Sequence, residues 1–400
     1  MIFTDDQERI IQGGVNHILS NEVDDQVYQF EGKAGTGKST VLFEIIRRIG
    51  IPLNRIATMT YIGQASIVLR TKGIMNAKTI HSWLYEPVEE VVFKNGEPVI
   101  DPVYNKPLTR IHFVPKSLDE IDYMIIDEAW TVPKSMKKEI ESRGIKIIAC
   151  GDRHQLPPVN DEPAYLASGK VHSLTNVLRQ GRGSNILYLA DALSEGRSIS
   201  PGYYGDVLVI EDKDLNDTMI RNSNIIICAK NGTKDRFNQH VRKDILGINY
   251  KLPIRGEKLI CRKNQWNIEM NGIALANGLI GSVGKQMEPK DVDLKNKTFS
   301  IDFIPDLFTG TFQGIKCDYE YFTSNTEQKQ HLKNSPYAQS TAKFDFAYAI
   351  TTHLSQGAQY PNGIYYKEYF RKDLQANLDY TGITRFSQFV IVVLPTKKFY

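Results

Sequence analysis

Short apolar runs alternate with stretches of helical spacing along much of this chain. Residues 27–30 read as a strand, and residues 38–49 follow with a helical pattern. Further strand-like runs lie at 55–57, 121–126 and 146–150. A second group appears later, with β-like runs at 224–229, 344–352 and 389–394 and a helical stretch over 372–385. Interleaved strands and helices of this kind predict an α/β protein with parallel sheets. Two segments break the alternation. Residues 91–100 carry apolar runs on either side of Asn95-Gly96, which favours a type I′ turn and predicts a β-hairpin. Residues 258–262, 273–283 and 297–304 alternate or run apolar, with Gly272, Gly278, Gly281 and Gly284 marking turns, which predicts a small barrel. The polar stretch 323–341, rich in Ser, Asn, Gln and Lys, reads as a loop.

Chemistry enters at the ends of the predicted strands. Gly32-Lys33-Ala34-Gly35-Thr36-Gly37-Lys38-Ser39 is a complete G-x-x-x-x-G-K-S phosphate loop between a strand and a helix. Its glycines let backbone N–H groups turn around a phosphate, Lys38 reaches the β and γ phosphates, and the Ser39 hydroxyl suits Mg²⁺. The strand over 121–126 ends in Asp127-Glu128, where Asp127 is the expected Mg²⁺ partner and Glu128 the expected activator of a water. A third strand runs into Gly151-Asp152-Arg153-His154-Gln155-Leu156-Pro157-Pro158-Val159. Its prolines stop a helix from following, and Gln155 sits where its amide can sense a γ-phosphate.

Composition narrows the picture. Four hundred residues with 41% apolar content predict more than one domain. With 49 Lys and Arg against 46 Asp and Glu, the net charge of +3 makes no global field for a polyanion, so a nucleic acid would need a local surface. Cys150, Cys228, Cys261 and Cys317 lie far apart without a C-x-x-C pair, which predicts buried thiols in a reducing compartment. The N-terminal residues lack a basic stretch followed by an apolar core, and no run approaches membrane-spanning length. A cytoplasmic protein without a membrane partner is the expectation.

The phosphate loop, Asp127-Glu128, Gly151-Asp152 with Gln155-Leu156-Pro157-Pro158-Val159, Gln356-Gly357 and Thr384-Arg385 together resemble superfamily 1 helicases, specifically the RecD-like 5′→3′ branch that includes the phage Dda-like helicases. The resemblance covers nearly the whole chain in order. It implies two RecA-like motor domains, one from residues 1–84 and 116–182 and one from 183–254 and 342–400. A hairpin insertion at 85–115 and an SH3-like barrel insertion at 255–341 would complete the chain. It further implies an ATP-hydrolysing, Mg²⁺-dependent DNA helicase, a monomer acting on single-stranded DNA and single-strand/duplex junctions alongside replication or recombination proteins.

Site residues follow by the same resemblance. Gly32, Ala34, Gly35, Thr36, Gly37, Lys38, Ser39, Thr40 and Gly357 would hold the nucleotide, with Gln7 reading adenine or, alternatively, standing solvated at a helix start. Arg179, in Leu174-Thr175-Asn176-Val177-Leu178-Arg179-Gln180, and Arg385, in Tyr380-Thr381-Gly382-Ile383-Thr384-Arg385, would face the γ-phosphate as fingers. Thr60, Tyr61, His81, Thr352, His353 and Ser355 would hold the strand through its backbone. Phe93 or Phe113 would stack at a strand-separating wedge, or else pack as core phenylalanines of a simple hairpin. Two departures from the family pattern stand out: Leu354 stands where a lysine is usual, and Phe386-Ser387 where a small residue and a basic one are usual. An RNA helicase of the same superfamily and an ATP-gated loader without unwinding activity remain as alternatives. A signalling GTPase is disfavoured, because no N-K-x-D motif occurs.

Overall fold

The computed structural model describes residues 2–20, 25–100, 107–175, 184–334 and 341–396. Among them, strands β1 (Val27–Gly32), β2 (Ile56–Thr60), β3 (Lys78–Thr79), β4 (Tyr123–Asp127), β5 (Lys146–Gly151) and β6 (Val171–Leu174) form one parallel sheet in the order β6-β1-β5-β4-β2-β3. Every residue of β2 and β4 is buried, as central strands of a parallel sheet covered on both faces require. Helices α1 (Asp5–Leu19) and α2 (Lys38–Ile49) supply Ile10, Ile11, Val41, Leu42 and Ile45 to a core shared with Phe30, Ile125, Ile148 and Cys150. In the register of this sheet Phe30 lies opposite Cys150 and Ile126 opposite Ala149. The phosphate loop, Asp127 and Gly151 therefore emerge together at one edge, at the C-terminal ends of their strands.

The second sheet contains β7 (Gly202–Tyr203), β8 (Val207–Glu211), β9 (Ile226–Cys228), β10 (Ala349–Thr351), β11 (Tyr360–Tyr366) and β12 (Phe386–Leu394), in the order β7-β8-β12-β11-β9-β10. The four strands β8, β12, β11 and β9 run parallel to one another, and β7 pairs β8 antiparallel at the edge. Helices α3 (Asn185–Ser194) and α4 (Gln375–Ile383) pack against each other beside it. The helix expected over 372–385 is thus shorter at both ends. The strand expected over 344–352 is two strands in two different sheets, because the Asn238 carboxamide accepts from Ala349 N and donates to Ala349 O, both at 2.9 Å. That exchange replaces a ladder partner by a side chain, and the strand-like pattern of the sequence gives no sign of it.

The chain divides into two compact units. The first takes residues up to Leu84, Ser117–Lys234 and from Ile350 onward, and holds both of these sheets. The second takes Tyr85–Lys116 and Asp235–Ala349. In that second unit Tyr85–Val91 pairs with Thr109–Pro115 along seven residues, and Phe93–Lys94 pairs with Glu97–Pro98. Asn95 (φ 54°) and Gly96 (φ 84°) make the left-handed turn that Asn-Gly predicts. The predicted barrel region is an antiparallel sheet built on Lys258–Cys261, Ile280–Val283, Thr298–Pro305, Phe312–Asp318 and Phe344–Phe346, around Phe303, Phe312 and Phe344. Of the stretch expected as a loop over 323–341, the described residues Thr326–Asn334 are helical. Asn325 Oδ1 accepts from Gln328 N while Gln328 Oε1 accepts from Asn325 N, a reciprocal cap that starts the helix Thr326–Asn334.

Candidate functional site

The phosphate loop takes the backbone its glycines allow. Gly35 (φ 84°) and Gly37 (φ 86°) lie in the left-handed region, and a Cβ on Gly32 would sit 2.3 Å from Thr36 Oγ1. Lys38 Nζ donates to the carbonyls of Gly32 (2.6 Å) and Lys33 (3.2 Å), which holds the ammonium inside the loop. Gln7 is buried rather than solvated. Its Oε1 accepts from Thr4 N, closing the cap of α1, and its Nε2 donates to Thr36 O at 3.1 Å, so the first helix is fastened to the loop.

A cavity of about 330 Å³ opens above the loop. Ala34, Gly35, Gly37, Lys38, Ser39 and Thr40 line it from below, with Asp127, Glu128 and Gln155 beside them. Gly357, Ala358, Thr384 and Arg385 line it from the second sheet. Asp127 Oδ1 accepts from Glu128 N (3.0 Å) and from the Cys150 thiol (3.1 Å), which fixes the carboxylate. All four cysteines are free and buried. Glu128 is half-buried and sits at φ 52°, a left-handed conformation that a non-glycine residue adopts only when its surroundings impose it. Burial raises its pKa above the ordinary carboxylate value and the Asp127 charge raises it further, against the opposing pull of Lys38 and Arg385. Gln155 is buried with its Oε1 unpartnered among the described residues, an acceptor that a ligand or a held water in this cavity would satisfy. Arg385 is buried, its guanidinium donating to Thr381 O (3.1 Å), Ala358 O (3.4 Å) and Thr384 Oγ1 (3.4 Å). Ser39 and Asp127 offer the hard oxygen donors that Mg²⁺ takes alongside substrate phosphates, so the residues fit that ion. Arg179 lies outside the described residues.

Several residues join the two sheets through contacts that the sequence motifs do not spell out. The Tyr380 hydroxyl accepts from Ala34 N and donates to Asp152 Oδ2, each at 2.9 Å. Thr381 Oγ1 accepts from Leu156 N (2.9 Å), and Gln356 Nε2 donates to Leu156 O (2.9 Å). Asn377 Nδ2 donates to the carbonyls of Arg153, His154 and Gln155 at 3.0–3.2 Å. The nearest cue was position: all but Gln356 lie on α4, one or two turns before Arg385.

The expected strand contacts divide into two groups. Thr60, Thr352 and Ser355 are buried, and their hydroxyls donate to the carbonyls of Ile62 (2.8 Å), Cys228 (3.2 Å) and Thr352 (2.8 Å). Those bonds tie the three hydroxyls to their own loops. Tyr61 and His81 come together with ring centroids 6.3 Å apart, and His353 meets Phe370 edge-on at 6.1 Å. Burial lowers the pKa of His353, so it is a neutral imidazole at pH 7. In the second unit Phe93 is 63% and Phe113 50% exposed, so neither is a core phenylalanine.

A parallel and a mainly parallel sheet with a phosphate loop, an acid pair and an arginine around one cavity define a nucleoside-triphosphate-binding α/β protein. The profile of the AAA domain family matches residues 7–206, and the chain belongs to that family. No curated protein matches the sequence. Among solved structures, the fold is similar to that of a Pif1 helicase described as unwinding forked double-stranded DNA by two coordinating molecules, at 18% identity over 98% of this chain and 92% of that one, with a TM-score of 0.56. It is also similar to Pif1 from Candida albicans (18% identity, 98% and 94% covered, TM-score 0.54) and to Bacteroides Pif1 bound to single-stranded DNA (17%, 98% and 92%, 0.55). Identities this low establish a shared fold.

Proposed function

We propose that this protein is an ATP-dependent DNA helicase that moves along single-stranded DNA, 5′ to 3′, and opens duplex ahead of it. The observation that carries this reading is the cavity that Lys38 lines from the first sheet and Arg385 from the second. A nucleotide held there would be touched by both sheets, so its binding and hydrolysis would alter how they close on each other. Lys38 and the loop N–H groups bind the phosphates. Glu128 takes the proton of the water that attacks the γ-phosphorus as the bond to the ADP oxygen breaks, and Gln155 orients that water through its free Oε1. Arg385 stabilises the charge that develops on the transferred group. Mg²⁺, held by Ser39 and Asp127, would neutralise phosphate charge.

The Pif1-like fold and the order of motifs support DNA as the track, and the RecD-like resemblance supports the polarity. Tyr61, His81 and His353 suit backbone contact without base reading, as a translocating motor needs. Among the described residues no helix is long and apolar enough to cross a membrane. The test is unwinding of duplexes carrying a 5′ or a 3′ single-stranded overhang, with Lys38→Ala as control. Opening of the 5′-tailed substrate alone, lost in the control, is expected. Opening only of the 3′-tailed one would reverse the polarity, and stimulation of hydrolysis by RNA but not DNA oligonucleotides would replace the track.

A further inference from the structure

Tyr380 joins the phosphate loop to the second sheet through one buried hydroxyl. It lies on α4 and is 1% exposed, and its hydroxyl bridges Ala34 N of the phosphate loop and Asp152 Oδ2, both at 2.9 Å. It is not among the residues that line the nucleotide cavity. Asp152 is itself 1% exposed, and its other oxygen accepts from His154 N at 3.0 Å, which anchors the turn that carries Gln155. The same turn is gripped from α4 by Asn377 through three carbonyls, and Lys33 of the loop pairs with Asp191 of α3 at 2.8 Å. One phenol thus connects three parts: the loop, the Gln155 turn and the helix that leads to Arg385.

We propose that Tyr380 is a positioning residue that couples the phosphate loop to the second sheet, so that a change at the loop is passed to both Gln155 and Arg385. A buried hydroxyl that accepts one bond and donates another has a single favourable orientation, and it loses both bonds if either sheet shifts by more than a fraction of an ångström. The ring fills the same space without the hydroxyl, which makes Tyr380→Phe a clean probe. This inference rests on the proposed motor function.

The experiment uses the full-length chain and compares wild type, Tyr380→Phe, Asp152→Asn and the double variant. It measures the affinity for a fluorescent ADP, hydrolysis with and without oligo(dT), and melting temperature. If Tyr380 acts as coupler, the phenylalanine variant keeps its nucleotide affinity within about two-fold and loses about ten-fold or more in the strand-stimulated rate. The double variant then loses no more than the worse single one, because the two side chains act through one bond. Equal loss of affinity and rate, full stimulation in Tyr380→Phe, or additive losses in the double variant would overturn the proposal. If Asp152→Asn fails to fold, the affinity-against-rate split in Tyr380→Phe decides alone. A wild-type protein that binds nucleotide but ignores DNA would sink the motor reading, and in that event Tyr380→Phe would match it in every readout.

Discussion

At the scale of single residues, Glu128 shows most directly how folding serves chemistry. Its backbone is held left-handed and its carboxylate is placed against Asp127, two features that local stability alone would remove. Because its pKa in the folded protein lies above the unfolded value, the folded state holds this proton more tightly than the unfolded one. Ionisation of Glu128 therefore opposes folding at neutral pH, and that penalty is relieved as pH falls through the raised value. Glu128→Gln removes the charge and keeps the shape, so the melting temperature at pH 7 should rise. Hydrolysis should fall by about 10²–10⁴ with nucleotide still bound, since a general base has been lost. The wild-type rate should climb with pH through a midpoint above 4.5, and the glutamine variant should show no such limb. A melting curve and a pH–rate profile check both arms, and a glutamine variant that melts lower would show that the carboxylate has a partner that stabilises it.

At the scale of elements, the hairpin of the second unit places two aromatic rings in solvent, Phe113 on a ladder of seven paired residues and Phe93 on the short pairing beside the turn. Phe113 touches Tyr85 edge-on at 6.2 Å, whereas Phe93 lies beside the Asn95-Gly96 turn. Exposed rings on a rigid ribbon suit stacking on splayed bases, worth about 1–3 kcal/mol per base. Removing residues 85–115, or changing both Phe93 and Phe113 to Ala, should abolish duplex opening and spare strand-stimulated hydrolysis. Parallel loss of the two in a gel-based unwinding assay and a phosphate-release assay would assign the hairpin to the motor instead. The hairpin turn was legible because Asn-Gly specifies its own backbone, and the phosphate loop and acid pair were legible because each is a strand followed at once by its chemistry. What stayed hidden has two physical origins. Gln356 and Tyr380 stood inside sequence motifs and Asn377 did not, but the partners of all three lie 200 or more positions away, a distance at which no periodicity survives. Thr60, Thr352 and Ser355 matched motif positions, yet a hydroxyl letter is the same whether it faces a ligand or its own backbone, and nothing in the sequence marks the local carbonyls these three bond. The Asn325–Gln328 cap was written in the sequence but masked by the polar composition around it.

At the scale of the whole molecule, the decisive quantity is how much of the rate depends on a group from the second sheet. Arg385 reaches the cavity wall while its guanidinium spends its donors on Thr381, Ala358 and Thr384, so the side chain is already oriented and little rotamer freedom remains to be lost when a phosphate arrives. Gly357, at φ 76° and with the place of its missing Cβ only 3.0 Å from Ala65, lets the second sheet approach this closely. Arg385→Ala should lower strand-stimulated turnover by about 10³–10⁵ while the affinity for nucleotide changes several-fold at most. Arg385→Lys should recover little of the rate, because a point charge on a flexible stem cannot reproduce a planar fork at fixed angles. Rapid-quench turnover beside equilibrium nucleotide titration separates the two effects. If alanine weakens binding as much as it slows turnover, Arg385 is an ordinary phosphate contact, and hydrolysis would then proceed without needing the second sheet at all.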